Sequence, residues 1–225
     1  MSLTHPVRRG VGEAIPLIIP AVPFAFVLGF TIVDSGIGNL LGWSTSWIVY
    51  AGAAQLTLVT LLGGGAAWAA AVTAPMVVNL RHVLYSAALA PTFQRQPAWF
   101  RWLGPYLLID QMFVLAEVRK DEPPEDFRRY YLAAGAAFFV FWNLAVAIGL
   151  VIGPVVPASW GLEFAIPVMF TGMLVAGLNS SPKWISALVA AAVTVACSGM
   201  PNKAGLLVGA LAGVVAGILA DRGPR

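Results

Sequence analysis

Ala51-Gly-Ala-Ala-Gln55 and the later run Pro75-Met-Val-Val-Asn79-Leu-Arg81-His82 decide how this chain is read. Between Asp34 and Arg95 the only acidic, basic or imidazole side chains are those of Arg81 and His82. Two amides, a guanidinium and an imidazole therefore sit in an otherwise apolar run. A charged side chain at membrane depth costs roughly 2.5–3.5 kcal/mol on insertion scales. A chain bears that cost where the group faces a protein interior or a water-filled cavity, which makes intramembrane ionisable residues functional-site candidates.

The surroundings of that stretch set the class. Of the 225 residues, 59% are hydrophobic and 10% charged, against about 25% charged in a soluble domain. The mean hydropathy is +0.83. These values predict an all-α, polytopic membrane helical bundle, read as a single transmembrane domain over residues 1–225. The net charge of +3 is small and argues against nucleic-acid binding. One cysteine, Cys197, excludes an intramolecular disulfide, and two histidines with one cysteine supply no zinc or iron–sulfur ligand set. No metal and no cofactor are expected. No nucleophile elbow, metalloprotease, Walker A or dinucleotide-binding pattern occurs, so no enzyme signature is present.

A helix needs about 20 apolar residues to cross the hydrocarbon core. Candidate spans are 14–33, 45–63, 66–90, 103–118, 131–153, 164–179, 184–199 and 204–220. That gives seven to eight transmembrane helices, with eight favoured. Arg8 and Arg9 before the first run resemble a signal peptide, but its length and prolines read as a first span. With the N-terminus cytoplasmic, eight spans place nine Lys and Arg inside and three outside, namely Arg95, Arg101 and Lys203. That asymmetry fits the positive-inside rule. The stretch from Arg119 to Arg129 reads as a solvated cytoplasmic connector. A shift of 120 residues pairs Gly29 with Gly149 and Gly52 with Gly172, leaving an internal repeat as a possibility only.

Pro16, Pro20 and Pro23 predict a broken first span with Phe24 and Phe26 beside the break. Pro75 predicts a break in the third span, freeing a carbonyl near Ala71. Asn79, His82 and Ser86 fall on one helical face, and Arg81 and Tyr85 on the next. Gln55 lies on a patch of small residues, where another backbone or a ligand can approach closely. Either substrate binding or interhelical hydrogen bonding explains these amides. Asp110 is the carboxylate placed clearly at membrane depth. It is read as a proton carrier or as the counter-ion of Arg81. Glu163 and Asn143 are secondary candidates, Glu163 also fitting a helix N-terminus. The tryptophans near span ends read as an interfacial belt.

Pro20-x-x-Pro23-Phe24 with Gly29, Ala51-Gly-Ala-Ala-Gln55, Asn79-Leu-Arg81-His82 with Ala90-Pro91, and Gly161-Leu-Glu-Phe-Ala-Ile-Pro167 leading to Phe170 together resemble the AzlC family. This family comprises the large subunits of two-component branched-chain amino acid exporters of the LIV-E type. Asp110-Gln-Met-Phe113 is similar to the family's acidic fourth-span motif, with Gln111 where a Glu is usual. The resemblance covers about residues 10–220. It implies secondary, proton-coupled export of branched-chain amino acids across a bacterial inner membrane. It also implies a small AzlD-like membrane partner.

On this reading Arg81, Asn79, Gln55, His82, Pro20 and Pro23 form the substrate site. Arg81 would grip the substrate carboxylate in a bidentate geometry. Asp110 would meet the ammonium or carry the proton, and Phe24, Met76 and Phe113 would accept an aliphatic side chain. A channel and a non-transporting scaffold remain the alternatives.

Overall fold

The computed structural model describes residues 5–153, 180–200 and 204–221, together with Thr171, Val175 and Leu178. Among the described residues the regular structure is helical, with eleven α-helices and one 3-10 turn and no strand. The chain divides into two compact units, residues 1–169 and 170–225.

In the first unit, α1 (Pro6–Ile18) and α2 (Ala21–Ser35) form one path bent by 65°. The bend lies at Ile19–Pro20, where Pro20 caps α2 and Pro23 occupies its first turn. A proline there loses no helical hydrogen bond, because first-turn amides have no intrahelical acceptor. The first span is therefore broken as its prolines predict. α9 (Pro124–Ile152) runs parallel to this path, with Gly10 against Tyr130 at one end and Gly29 against Val146 further along, and is the one described helix that alone is long and apolar enough to cross a membrane. The α1–α2 pair passes the same test when taken together.

Gly29 and Gly149 let α2 and α9 touch along their backbones. A Cβ on Gly29 would stand 2.5 Å from the Val146 carbonyl oxygen, and one on Gly149 would stand 2.8 Å from that of Phe26. The glycines that a shift of 120 residues aligns are thus the two sides of one helix crossing. Gly172 lies outside the described residues.

The second expected span, 45–63, is not one helix. It divides into α3 (Asn39–Ile48) and α4 (Gly52–Gly63), with Val49, Tyr50 and Ala51 between them. Each helix is about 15–18 Å long at 1.5 Å per residue, too short for a crossing of about 30 Å. Gly63 ends against Ser35, where a Cβ on Gly63 would meet the Ser35 Cβ at 2.6 Å. α3 begins four residues after Ser35, so the α3–α4 arm leaves and returns at one end of the unit.

The third span is α5 (Trp68–Val78) and α6 (Arg81–Gln94). Pro75 sits inside α5, and the interruption falls at Asn79–Leu80, four residues later than expected. There the hydrogen bonds shorten to i+3, from Leu80 N–H to the Val77 carbonyl and from His82 N–H to the Asn79 carbonyl.

The fourth expected span, 103–118, is also an out-and-back arm: α7 (Ala98–Leu103), a 3-10 turn (Gly104–Leu107) and α8 (Asp110–Arg119). Its two ends are tied together. Thr92 Oγ1 and Arg95 both donate to the Lys120 carbonyl, and Gln96 Nε2 donates to that of Pro124 at 3.0 Å.

The same end holds the start of α1, through Arg9 to Glu122 and Arg119 to Glu13, each 2.5 Å. Tyr130 donates to Glu13 and packs under both guanidinium groups. The Glu13 hydrogen bond, with Glu122 nearby, raises the pKa of Arg119 and keeps it charged. The connector expected to be merely solvated is thus the junction that binds α1, α6, α8 and α9. Arg95 belongs to this end, not to the opposite one as the eight-span count placed it. The other end, at residues 34–39 and 63–68, has no Lys or Arg.

The second unit, as described, is an antiparallel pair, α10 (Ser181–Ala196) and α11 (Ala204–Asp221). Gly205, Gly209, Gly213 and Gly217 recur every fourth residue of α11. A Cβ on Gly209 would stand 1.9 Å from Thr194 Oγ1, and one on Gly213 2.7 Å from the Ala190 Cβ. This is small-residue packing of the kind used between membrane helices.

Candidate functional site

Two helix starts meet in the first unit. Arg81 is the first residue of α6, and Asp110 is the first residue of α8. Arg81 Nη1 lies 2.9 Å from Asp110 Oδ2. A helix start carries partial positive charge, so it favours Asp110 and disfavours Arg81. The Asp110 carboxylate thus offsets a cation placed at an unfavourable helix end. Its other oxygen, Oδ1, accepts a hydrogen bond of 2.8 Å from the Tyr85 hydroxyl. Tyr85 stands one turn beyond Arg81 and stacks on Phe113, with centroids 4.4 Å apart and planes 13° apart. The His82 ring meets Tyr85 edge-on at 5.7 Å, and its Nδ1 lies 3.2 Å from the Asn79 carbonyl.

Two polar atoms at this point are buried without a partner, Asn79 Oδ1 and Arg81 Nε. One accepts and the other donates. Leaving such a group unpaired costs about 1–3 kcal/mol, which marks each atom as a candidate polar contact. Further along α6, between its later turns and the incoming arm, lies a separate cavity of ≈ 250 Å³ whose lining includes none of the cluster residues. Leu89, Phe93, Pro105 and Leu108 line it, with Ser86 and Arg101 as polar contributors.

The structure gathers Asn79, Arg81, His82, Asp110 and Phe113, and places the other expected residues elsewhere. Asn79 precedes α6 instead of sharing its face, because the helix begins at Arg81. Gln55 is 0% exposed, and its amide is spent on the protein. Its Nε2 donates to Thr45 Oγ1 at 2.8 Å and Ser46 Oγ at 2.7 Å, and its Oε1 accepts from Trp142 Nε1 at 3.1 Å. It ties α4 to α3 and α9. Pro20 and Pro23 shape the α1–α2 bend. Phe24 is buried edge-on against Trp142 at 5.6 Å. Met76 faces outward, 65% exposed. Asn143 donates its amide to the Phe139 carbonyl of its own helix, and its carbonyl accepts from Trp43 Nε1. Glu163 lies outside the described residues.

Tyr85, in the sequence only a neighbour of Arg81, is a direct partner of Asp110, and Tyr50 carries no signal in the sequence. Tyr50 is 4% exposed, its hydroxyl has no partner, and its backbone φ is +39°. Nothing in Val49-Tyr50-Ala51 marks a break, since none of the three is Gly or Pro. The i, i+4 spacing of Arg81 and Tyr85 was the available signal for Tyr85.

A family model described as "AzlC protein" matches residues 16–156. The chain is 29% identical over 222 residues to "Inner membrane protein YgaZ" of Escherichia coli K12, covering 94% of this chain and 87% of that protein. It is 24% identical over 212 residues to an uncharacterized membrane protein of Archaeoglobus fulgidus, covering 92% and 91% of the two chains. An uncharacterized membrane protein of Helicobacter pylori 26695 is 20% identical over 189 residues, covering 82% and 81%. No solved structure matches the chain.

Proposed function

The chain belongs to the AzlC family of membrane proteins, and from that premise we propose that it is the substrate-carrying subunit of a secondary amino acid exporter. The Arg81–Asp110 pair at two meeting helix starts is the observation that carries the reading. Discontinuous helices that bring charged groups together at depth are the usual architecture of a transporter site.

An amino acid zwitterion matches the chemistry of the cluster. Its carboxylate suits Arg81, whose guanidinium has an unpaired Nε beside the bonded Nη1. Its ammonium suits Asp110 and the free Asn79 Oδ1. Branched aliphatic side chains suit the stacked Tyr85 and Phe113 rings beside Asp110, at about 0.8 kcal/mol per buried CH₂. Asp110 is the group proposed to exchange the coupled proton, and Tyr85 holds that carboxylate in place. Gln55 is assigned to positioning of the α3–α4 arm. The branched-chain preference and the AzlD-like partner come from the family resemblance. The cationic end is assigned to the cytoplasm by the positive-inside rule.

Proteoliposomes made with and without an AzlD-like partner test this. Labelled leucine flux driven by an imposed pH gradient and abolished by Asp110→Asn is the expected result. Absence of flux for any branched-chain amino acid, from protein shown to be folded, would refute it.

A further inference from the structure

Two stretches of the first unit are built alike and run in opposite directions. Residues 6–63 hold a helix broken at Ile19–Pro20, leading from the cationic end to the uncharged end, and then the out-and-back arm α3–α4. Residues 68–119 hold a helix broken at Asn79–Leu80, leading from the uncharged end to the cationic end, and then the out-and-back arm that ends in α8. Asn79-Leu80 stand 60 positions after Ile19-Pro20. Ile109, the extended residue before α8, stands 58 positions after Ala51, the extended residue before α4.

In both stretches an aromatic side chain about one turn past the break covers the first residue of the arm's second helix. Phe24 Cε1 lies where a Cβ on Gly52 would be 2.7 Å away, and the Tyr85 hydroxyl donates to Asp110. The two arms approach each other from opposite ends along α9. One descends through Trp43 at Asn143, and the other rises through Gly104 at Tyr131 and Leu107 at Gly135. Their tips meet where Tyr50 stacks on Tyr106, with centroids 5.6 Å apart, and the Tyr106 hydroxyl donates to the Trp47 carbonyl. Both rings also lie against Phe139, near the midpoint of α9.

We propose that residues 6–63 and 68–119 are inverted-topology repeats packed on α9, and that the apposed tips at Tyr50 and Tyr106 are the barrier between the two sides of the membrane. Inverted repeats give one fold two states of access, because each repeat can take the conformation of the other. The charged pair belongs to the second repeat alone, since Ala21 and Gly52 open the corresponding helices of the first. The transport reading supplies only what crosses; the topology stands or falls separately.

Single cysteines at Leu40, Ala67, Ala98 and Asp121, in the full chain carrying Cys197→Ala, test it with a membrane-impermeant maleimide on right-side-out and inverted vesicles. Leu40→Cys and Ala67→Cys should label from one side, and Ala98→Cys and Asp121→Cys from the other. Labelling of either pair from opposite sides means that its arm crosses the membrane and overturns the repeat. For the barrier, a Phe139→Cys reporter should react with a small thiosulfonate at least tenfold faster when Tyr106→Ala, or Tyr50→Ala with Tyr106→Ala, truncates the tips. An unchanged rate in protein that remains monodisperse removes the tips as the barrier. Neither measurement uses substrate flux, so its failure is distinguishable from failure of the transport reading.

Discussion

Arg81 and Asp110 are each the first residue of a helix, and their side chains meet at 2.9 Å. One helix start is stabilised by its carboxylate and the other is strained by its guanidinium, so the pair acts as a unit. Asp110→Asn should lower thermal stability in detergent, by roughly 1–3 kcal/mol, because it leaves Arg81 uncompensated. The charge exchange Arg81→Asp with Asp110→Arg keeps both the pair and the sum of helix-end terms. It should recover most of that stability without recovering transport. A double variant no more stable than Asp110→Asn would show that the pair is not what holds the two helix starts.

Arg81→Lys keeps the charge but loses the planar fork. Export should fall at least tenfold, while the melting temperature changes little. Near-normal export would remove Arg81 from carboxylate recognition.

Tyr85→Phe deletes one hydrogen bond to Asp110 and keeps the stack on Phe113. Stability should fall by only about 0.5–1.5 kcal/mol. The pH dependence of flux should shift, because the carboxylate proposed to exchange the proton loses a donor. An unaltered pH profile would confine Tyr85 to packing.

Gln55→Leu strands the donors and acceptors of Thr45, Ser46 and Trp142 in a dry interior. A loss of about 1–3 kcal/mol is expected for a group left unsatisfied there. In the protein that still folds, substrate affinity should be unchanged, as measured by calorimetry. A selective loss of affinity at normal stability would return Gln55 to the binding site.

Tyr50→Phe removes a buried hydroxyl that has no partner, so stability should hold or rise by up to about 1 kcal/mol. Tyr50 also keeps a positive φ, a sparsely populated conformation for a non-glycine residue. A clear destabilisation of Tyr50→Phe would mean that the hydroxyl is satisfied in the membrane.

Gly213→Leu should separate α10 from α11, since a Cβ at that position already meets the Ala190 Cβ at 2.7 Å. Reduced yield and a lower melting temperature are the expected readouts, and Gly199→Leu, where no atom lies within 4 Å, is the control.

The membrane class, the helical content and Asp110 as a counter-ion for Arg81 are legible in the sequence itself. Composition fixes the solvent the chain prefers, and a charge in an apolar run must find a partner whatever the fold. The first break is also legible, because proline at Pro20 and Pro23 cannot continue a helix that precedes it. The interruptions at Val49–Ala51 and at Leu108–Ile109 are not legible, since neither contains a residue that forbids helix. A run of apolar residues reports its length and not its direction, so two short helices folded back at one end read as a single crossing span. Tertiary structure decides that direction, through Ser35 against Gly63 at one end and Gln96 against Pro124 at the other. It also decides that Gln55 faces Trp142 while Arg81 faces Asp110, because partners far apart in sequence are chosen by packing and not by local preference.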